Sequence, residues 1–336
     1  MQLTGFPDLL TYSRQTRITA SLKARLQTVS NEAVTGLHDD ITKVTGGNVG
    51  GAHLMQKALN DIEQNQRLNS LSGTRLELIT QALDGSRNAI NGLDTKALIA
   101  VNSDNADLIT SVSNEAEASL RSAMTALSSK HGSRNLLSGD ATDTAPFAGA
   151  DALLSDIRAI MTANTTPATI DAALDNYFDD PLGGFQTTQY LGGTNAAPPL
   201  RLSDGSVIQV DIRGDNQVIK DALRGLAVIA TAADSGFPSD SPGFMEIYQN
   251  GITSTADGVA GLIAMQGDMG VYSETIDKAN ARDQFENLTL TAAYQAIIGR
   301  DQFEAAAELQ QLQVQLEASY VITSRLASLT LTNFVR

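Results

Sequence analysis

The stretch LQQLQVQLEASYVITSRLASLTLTNFVR, residues 309–336, decides how the rest of the chain is read. Leu309, Leu312, Leu316 and Leu326 mark one helical stripe, yet Tyr320, Val321, Ile322, Leu329, Leu331, Phe334 and Val335 place apolar side chains on the other sides. A helix that is apolar all round needs burial, whereas chain ends are ordinarily frayed and solvated. The stretch therefore asks for a partner helix, and for more cover than one partner supplies.

A partner stands at the other end of the chain. Ile18, Leu22, Leu26, Val29, Ala33, Leu37, Ile41 and Val44 recur at spacings of three and four, which predicts an amphipathic helix over 8–44. Pairing it with a helix over 300–334 buries one stripe on each. The apolar surface left over points to other copies of the chain. The residues expected to carry assembly are Ile18, Leu22, Leu26 and Val29 with Leu309, Leu312, Leu316, Leu326, Leu329 and Phe334.

Proline placement sets the organisation between these ends. Pro7 stands alone near the start and every other proline falls between Pro146 and Pro242. Because proline breaks helix interiors, 8–145 and 243–336 can hold long helices and the middle cannot. TGGNVGG at 45–51 interrupts the first helix, a second periodic stretch runs from Leu54 to Ile90, NGLDTKALIAVNSDN reads as the turn that ends it, and a third helix is expected over 104–131. In the middle, PLRLSDGSVIQVDIRG predicts a β-hairpin turning at Asp204-Gly205, with Ile208, Val210 and Ile212 on one face. A short helix follows, with Asp215 as its expected N-cap. After Pro242 the periodic sequence carries Gly251, Gly258, Gly261, Gly267 and Gly270, which weaken an isolated helix or permit close packing.

The expected fold class is mainly α: a long antiparallel helical bundle or coiled coil formed by both chain ends, with a small α+β insertion domain. Three parts are expected. They are a terminal helical pair from 1–45 and 300–336, a helical rod from 46–139 and 243–299, and an outer insertion over 140–242.

Chemistry leaves little trace. A net charge of -15 without a Lys/Arg run argues against nucleic acid and anionic membrane surfaces. With no cysteine there is no disulfide framework and no thiol nucleophile. No 18-residue apolar run predicts a membrane span, and the N-terminal sequence lacks a cleavable secretory signal. His38, His53 and His131 have no partner at metal-ligand spacing, and His38 beside Asp39 and Asp40 reads as a solvated face. GGNVGG lacks the Lys-Ser/Thr and preceding strand of a phosphate loop. Asp179 and Asp180 read as a turn before Pro181 rather than an acid/base pair. No catalytic residue, metal or cofactor is expected.

Two segments resemble the flagellin superfamily, and within it the hook-filament junction branch. In DQFEAAAELQQLQVQLEASYVITSRLASLTLTNFVR the matching positions are Asp301, Leu309, Gln313, Leu316, Ala318, Ser319, Ser324, Leu326, Leu329, Leu331 and Phe334. In GSRNLLSGDATDTAPFAGADALLSDI they are Gly132, Leu137, Gly139, Thr144, Pro146 and Phe147. One departure is HDDITKVTGGNVGG, where only Asp39 and Asp40 echo the family's acidic turn. The resemblance implies a structural subunit that self-assembles into a ring between hook and filament, next to a neighbouring hook-associated protein and flagellin. It further implies an extracellular place in the flagellum, export by the flagellar type III channel without a cleaved signal, and a cytosolic export chaperone on the C-terminal helix. The alternatives are a major filament flagellin, disfavoured by chain length and SGDATDTAPF, and a soluble enzyme with its site in 140–242, disfavoured because that segment has neither His nor Cys.

Overall fold

The computed structural model describes the backbone of residues 7–103 and 105–334 and the side chains of 10–103 and 105–325. Ten α-helices and two short hairpins follow one another among the described residues. They form two compact units, one from Met1–Gln64 with Gln284–Arg336, the other Asn65–Asp283. The fold is mainly α, with long helices at both chain ends.

In the first unit, α1 (Pro7–Thr35) and α10 (Gln302–Phe334) pair side by side. The helix expected over 8–44 is thus split. Gly36 takes a left-handed φ of 68°, and α2 (Ile41–Val44) starts afresh under the Asp40 side chain, which accepts a hydrogen bond from the Lys43 amide at 3.1 Å. TGGNVGG is a break between helices, with positive φ at Gly46 and Gly47.

The second unit is built on α3 (Gly50–Ile90), which enters it after Gln64, and on α9 (Pro242–Ile298) up to Asp283. NGLDTKALIAVNSDN is mostly helix rather than turn. One left-handed residue, Gly92, reverses the chain, and α4 (Leu93–Asn102) then buries Leu93, Ala97, Ala100 and Val101. Asn105 caps α5 (Ala106–Leu127), accepting from the Asp107 and Leu108 amides. Its apolar spacing of Ile109, Val112, Ala116, Leu120, Ala123 and Leu127 gives one fully buried face. The third helix is therefore shorter than 104–131, because β1 (Lys130–His131) and β2 (Arg134–Asn135) take over in an antiparallel hairpin.

The SGDATDTAPF loop folds against 189–195. Ser138 Oγ donates to the Thr144 carbonyl at 2.7 Å, the Gly193 amide to the Ser138 carbonyl at 2.9 Å, and Phe147 bridges to Tyr190. A Cβ at Gly139 would lie 2.5 Å from the Asn195 carbonyl oxygen. Beyond it α6 (Ala150–Ala163) and α7 (Pro167–Asp179) bury Leu153, Ile157, Met161, Ile170, Leu174 and Phe178 in the same core. The predicted hairpin is β3 (Leu200–Arg201) with β4 (Val207–Ile208), and Leu200, Leu202, Ile208, Val210 and Ile212 are all buried. Segment 140–242 is more helical than a plain α+β insertion.

Close helix packing holds α8 (Gln217–Thr231) to α9. Asn216, not Asp215, caps α8, accepting from the Val218 amide at 3.0 Å, while Asp215 faces Arg213 at 3.3 Å. A Cβ at Gly258 would lie 2.5 Å from Ala222 Cα, and one at Gly225 2.4 Å from the Thr255 amide nitrogen. The two backbones touch because neither glycine has a side chain.

Candidate assembly surface

The α1–α10 pair is antiparallel, since Gln15 Nε2 donates to Ser319 Oγ at 2.9 Å, Arg25 meets Glu308 at 2.6 Å and the Arg300 amide donates to the Gly36 carbonyl at 2.8 Å. Val29, Ala305 and Leu312 are buried in the seam, with Leu22, Leu26, Ala33 and Leu309 packed against them. The seam positions follow a three-four alternation on both helices: Thr19, Leu22, Leu26, Val29 and Ala33 opposite Ala305, Leu309, Leu312, Leu316 and Ser319. That is the heptad pattern of a coiled coil.

Of the residues expected to carry assembly, Leu22, Leu26, Val29, Leu309 and Leu312 converge on this seam, and Leu316 is half-buried. Ile18 does not join them. It is 50% exposed because the heptad places Thr19 on the seam, where its hydroxyl shares a 2.7 Å hydrogen bond with Ser319. The side chains of Leu326, Leu329 and Phe334 lie outside the described residues.

Polar groups close one end of the seam. Glu32 is buried, accepts from the Asp39 amide at 3.0 Å, and lies 3.5 Å from His38 Nδ1 and 3.7 Å from Arg300 Nε. His38 thus answers Glu32 rather than its neighbours Asp39 and Asp40. Arg300 also binds Glu308 at 2.6 Å, so Glu308 joins two guanidinium groups. The Arg25 hydrogen bond, with burial opposing it and Arg300 adding to it, holds the Glu308 carboxyl below the usual range. A two-residue clasp completes this end: Leu37 bridges to Gly299, and the His38 amide donates to the Ile298 carbonyl at 2.8 Å.

The outer faces of the same two helices remain apolar. Leu10, Tyr12, Ile18 and Val34 on α1, and Phe303, Val314, Tyr320, Val321 and Ile322 on α10, are all exposed, Phe303 by 89% and Val34 by 80%. A pair of helices that buries one stripe and leaves large side chains on the other presents an interaction surface. Sequence reading did not single out Thr19 or Glu32, and named Ser319 only as a position of the family resemblance, because a polar side chain carries no apolar periodicity. Among the described residues no group of three His, Cys, Asp or Glu could hold a metal, and no helix is long and apolar enough to cross a membrane.

With paired chain-end helices and a mainly α unit formed by the sequence between them, the chain has the fold of flagellar hook-associated proteins. FlgL from Bacillus cereus superimposes with a TM-score of 0.52 at 16% identity, over 71% of this chain and 97% of that one. A Vibrio parahaemolyticus protein provisionally described as flagellar hook-associated does so with a TM-score of 0.51 at 13% identity, over 73% and 95%. Neither a protein-family model nor a curated protein sequence matches the chain. At these identities the likeness establishes a shared fold.

Proposed function

We propose that this chain is a non-enzymatic structural subunit of the bacterial flagellum, at the junction between hook and filament. The observation that carries the reading is the antiparallel α1–α10 pair, with a buried heptad seam inside and unpartnered apolar side chains outside. The shared fold with hook-associated proteins and the C-terminal sequence resemblance support the same role. Other copies in a ring, and adjoining hook-associated protein and flagellin, would cover the outer faces and so provide the extra burial that residues 309–336 ask for. In this reading 1–45 with 300–336 is the axial part, 46–139 with 243–299 the rod and 140–242 the outward part. The chain is exported by the type III route without a cleaved signal, a chaperone shields α10 before export, and the subunit ends outside the cell.

Incorporation into flagella of a host lacking its own junction protein tests this. Val314→Asp places a charge on the outer face and Leu316→Asp places one at the seam. Both variants are expected to give non-motile cells that shed flagellin, with the Asn65–Asp283 unit still folded by circular dichroism. Normal filaments on cells carrying Val314→Asp would remove the outer face from the assembly surface.

A further inference from the structure

A cavity of about 530 Å³ in the Asn65–Asp283 unit lies among α3, the β1–β2 hairpin and the chain leading into β3. This is within the span of roughly 300–1,000 Å³ typical of binding pockets. Its charge is out of keeping with the chain. In a protein of net charge -15, Arg75, Arg134 and Arg201 all line this cavity, and none has a carboxylate within ion-pair distance among the described residues. Arg75 donates instead to the Pro198 carbonyl at 2.9 Å, and burial together with the Arg134 charge lowers its pKa. Leu68 and Leu71, each more than half exposed, and Pro199 supply apolar walls. Such a pocket calls for an acidic group and an apolar side chain in one ligand.

The same unit carries an element with those properties. Where α7 ends, Asp180, Pro181 and Leu182 form an exposed turn, and Leu182, at 85%, is the most exposed large apolar side chain described in the unit. The turn is held in place: the Leu182 amide donates to Asp180 Oδ1 at 2.7 Å and the Gly183 amide to the Asp180 carbonyl at 2.8 Å. A Cβ at Gly183 would lie 2.2 Å from the Asn176 carbonyl oxygen, so the chain is pressed against α7. Asp180 has no cationic partner among the described residues, and none of the three tip residues lines the cavity. Ordering such a turn in advance lowers the cost of docking it.

We propose that the Asp180–Pro181–Leu182 turn of a second copy of this chain docks in this pocket, Leu182 against Leu68, Leu71 and Pro199 and the Asp180 carboxylate toward Arg134 and Arg201. The contact joins two different surfaces, so it is head-to-tail and generates a ring or a helical array rather than a closed pair. This inference rests on the self-assembly proposed above and names one interface through which it proceeds.

The absence of cysteine makes the test direct. Full-length Pro181→Cys protein and full-length Ser133→Cys protein, with thermal melts matching the unsubstituted chain, are mixed at high concentration and treated with a short thiol-to-thiol crosslinker. Ser133 lines the pocket, whereas Ile99, exposed elsewhere in the unit, serves as the control position in an Ile99→Cys protein. Mixed product from Pro181→Cys with Ser133→Cys is expected to exceed that with Ile99→Cys by about tenfold and to fall as salt rises. Adding Arg134→Glu to the Ser133→Cys protein should abolish the excess, and adding Asp180→Arg to its partner should restore it by exchanging the charges. A yield no greater than the Ile99 control, or one indifferent to both charge changes, overturns the proposal. Incorporation of the unsubstituted chain into flagella separates the two readings. Incorporation without the crosslink rejects this interface alone, and the crosslink without incorporation rejects the flagellar role alone.

Discussion

Leu312 and Ile18 carry the same kind of side chain into opposite fates. Leu312 is 5% exposed in the α1–α10 seam, and Ile18 is half exposed on the outer face. Truncating a buried leucine removes its transfer free energy and leaves a cavity, at a cost of about 2–5 kcal/mol, while an exposed site costs within about 0.5 kcal/mol. Leu312→Ala is therefore expected to lower the melting of α1 and α10, followed by circular dichroism, and Ile18→Ala to leave it unchanged while reducing incorporation. A melting loss for Ile18→Ala equal to that for Leu312→Ala would place Ile18 in the seam after all. The sequence showed each residue as a member of the apolar stripe of its own helix. What it did not show is that Thr19 and Ser319 occupy seam positions, because a hydroxyl reads as a solvated group until its partner from the far end of the chain is known. Glu32 was hidden for the same reason, its partners His38 and Arg300 becoming neighbours only through the fold. Glu308 carries a pH dependence. Its carboxyl is held below the ordinary range, so its contribution is present above the unfolded value of about 4.3 and is lost as pH falls through the lower folded value. The α1–α10 pair should loosen on acidification below that point, and Glu308→Gln, which lacks the titrating group, should lose part of that acid sensitivity. An identical acid response from the variant would assign the effect to other carboxylates.

At the scale of elements, the glycines of α9 show why propensity alone misjudges a helix. Five of them would weaken α9 in isolation, yet it runs unbroken from Pro242 to Ile298. Gly251 and Gly258 are consumed by contact with α8: a Cβ at Gly251 would lie 2.9 Å from Val228 Cγ1, and at Gly258 the obstacle is the Ala222 backbone, which cannot step aside. Gly267 and Gly270 have nothing within 4 Å. Gly258→Ala should therefore destabilise by about 1–3 kcal/mol as the two helices are forced apart. Gly267→Ala should instead stabilise by roughly 0.5–1 kcal/mol through helix propensity and a less free unfolded chain. Denaturant midpoints of the two variants check this, and a stabilising Gly258→Ala would mean that α8 and α9 do not pack through that residue. The hairpin β3–β4 was legible because a period of two around Asp-Gly is a local signal. Helix α4 was not, because Gly92 and the asparagines around it look like a loop while the buried faces of Ala97 and Ala100 carry no periodic signature of their own. The arginine-lined cavity was equally invisible, its three cations being scattered over α3, β2 and β3.

On the scale of the whole chain, the two units differ in how much core each has. The described seam of the first unit is buried at Val29, Ala305 and Leu312, with four half-buried neighbours. The second unit draws on every helix from α3 to α9 for one continuous core that includes Phe178, Phe185, Phe244 and Tyr248. Stabilisation scales with apolar area at about 25 cal/mol per Å², so the pair should open at a free energy well below that of global unfolding. Amide hydrogen exchange on the isolated chain is expected to run fast through α1 and through 302–325 of α10, and slowly through α5 and α8. Assembly should then protect the same α1 and α10 amides, because the outer faces that carry Phe303, Val314 and Val34 gain cover that the single chain cannot give them. Low stability of the pair in the free chain and its protection on assembly are two halves of one experiment on assembly-coupled ordering. Equal protection of α1 and α5 in the free chain would describe a self-contained fold and would contradict assembly-coupled ordering. Fast exchange of α1 and α10 that persists in assembled material would move the contact surface away from the helical pair and onto the Asn65–Asp283 unit.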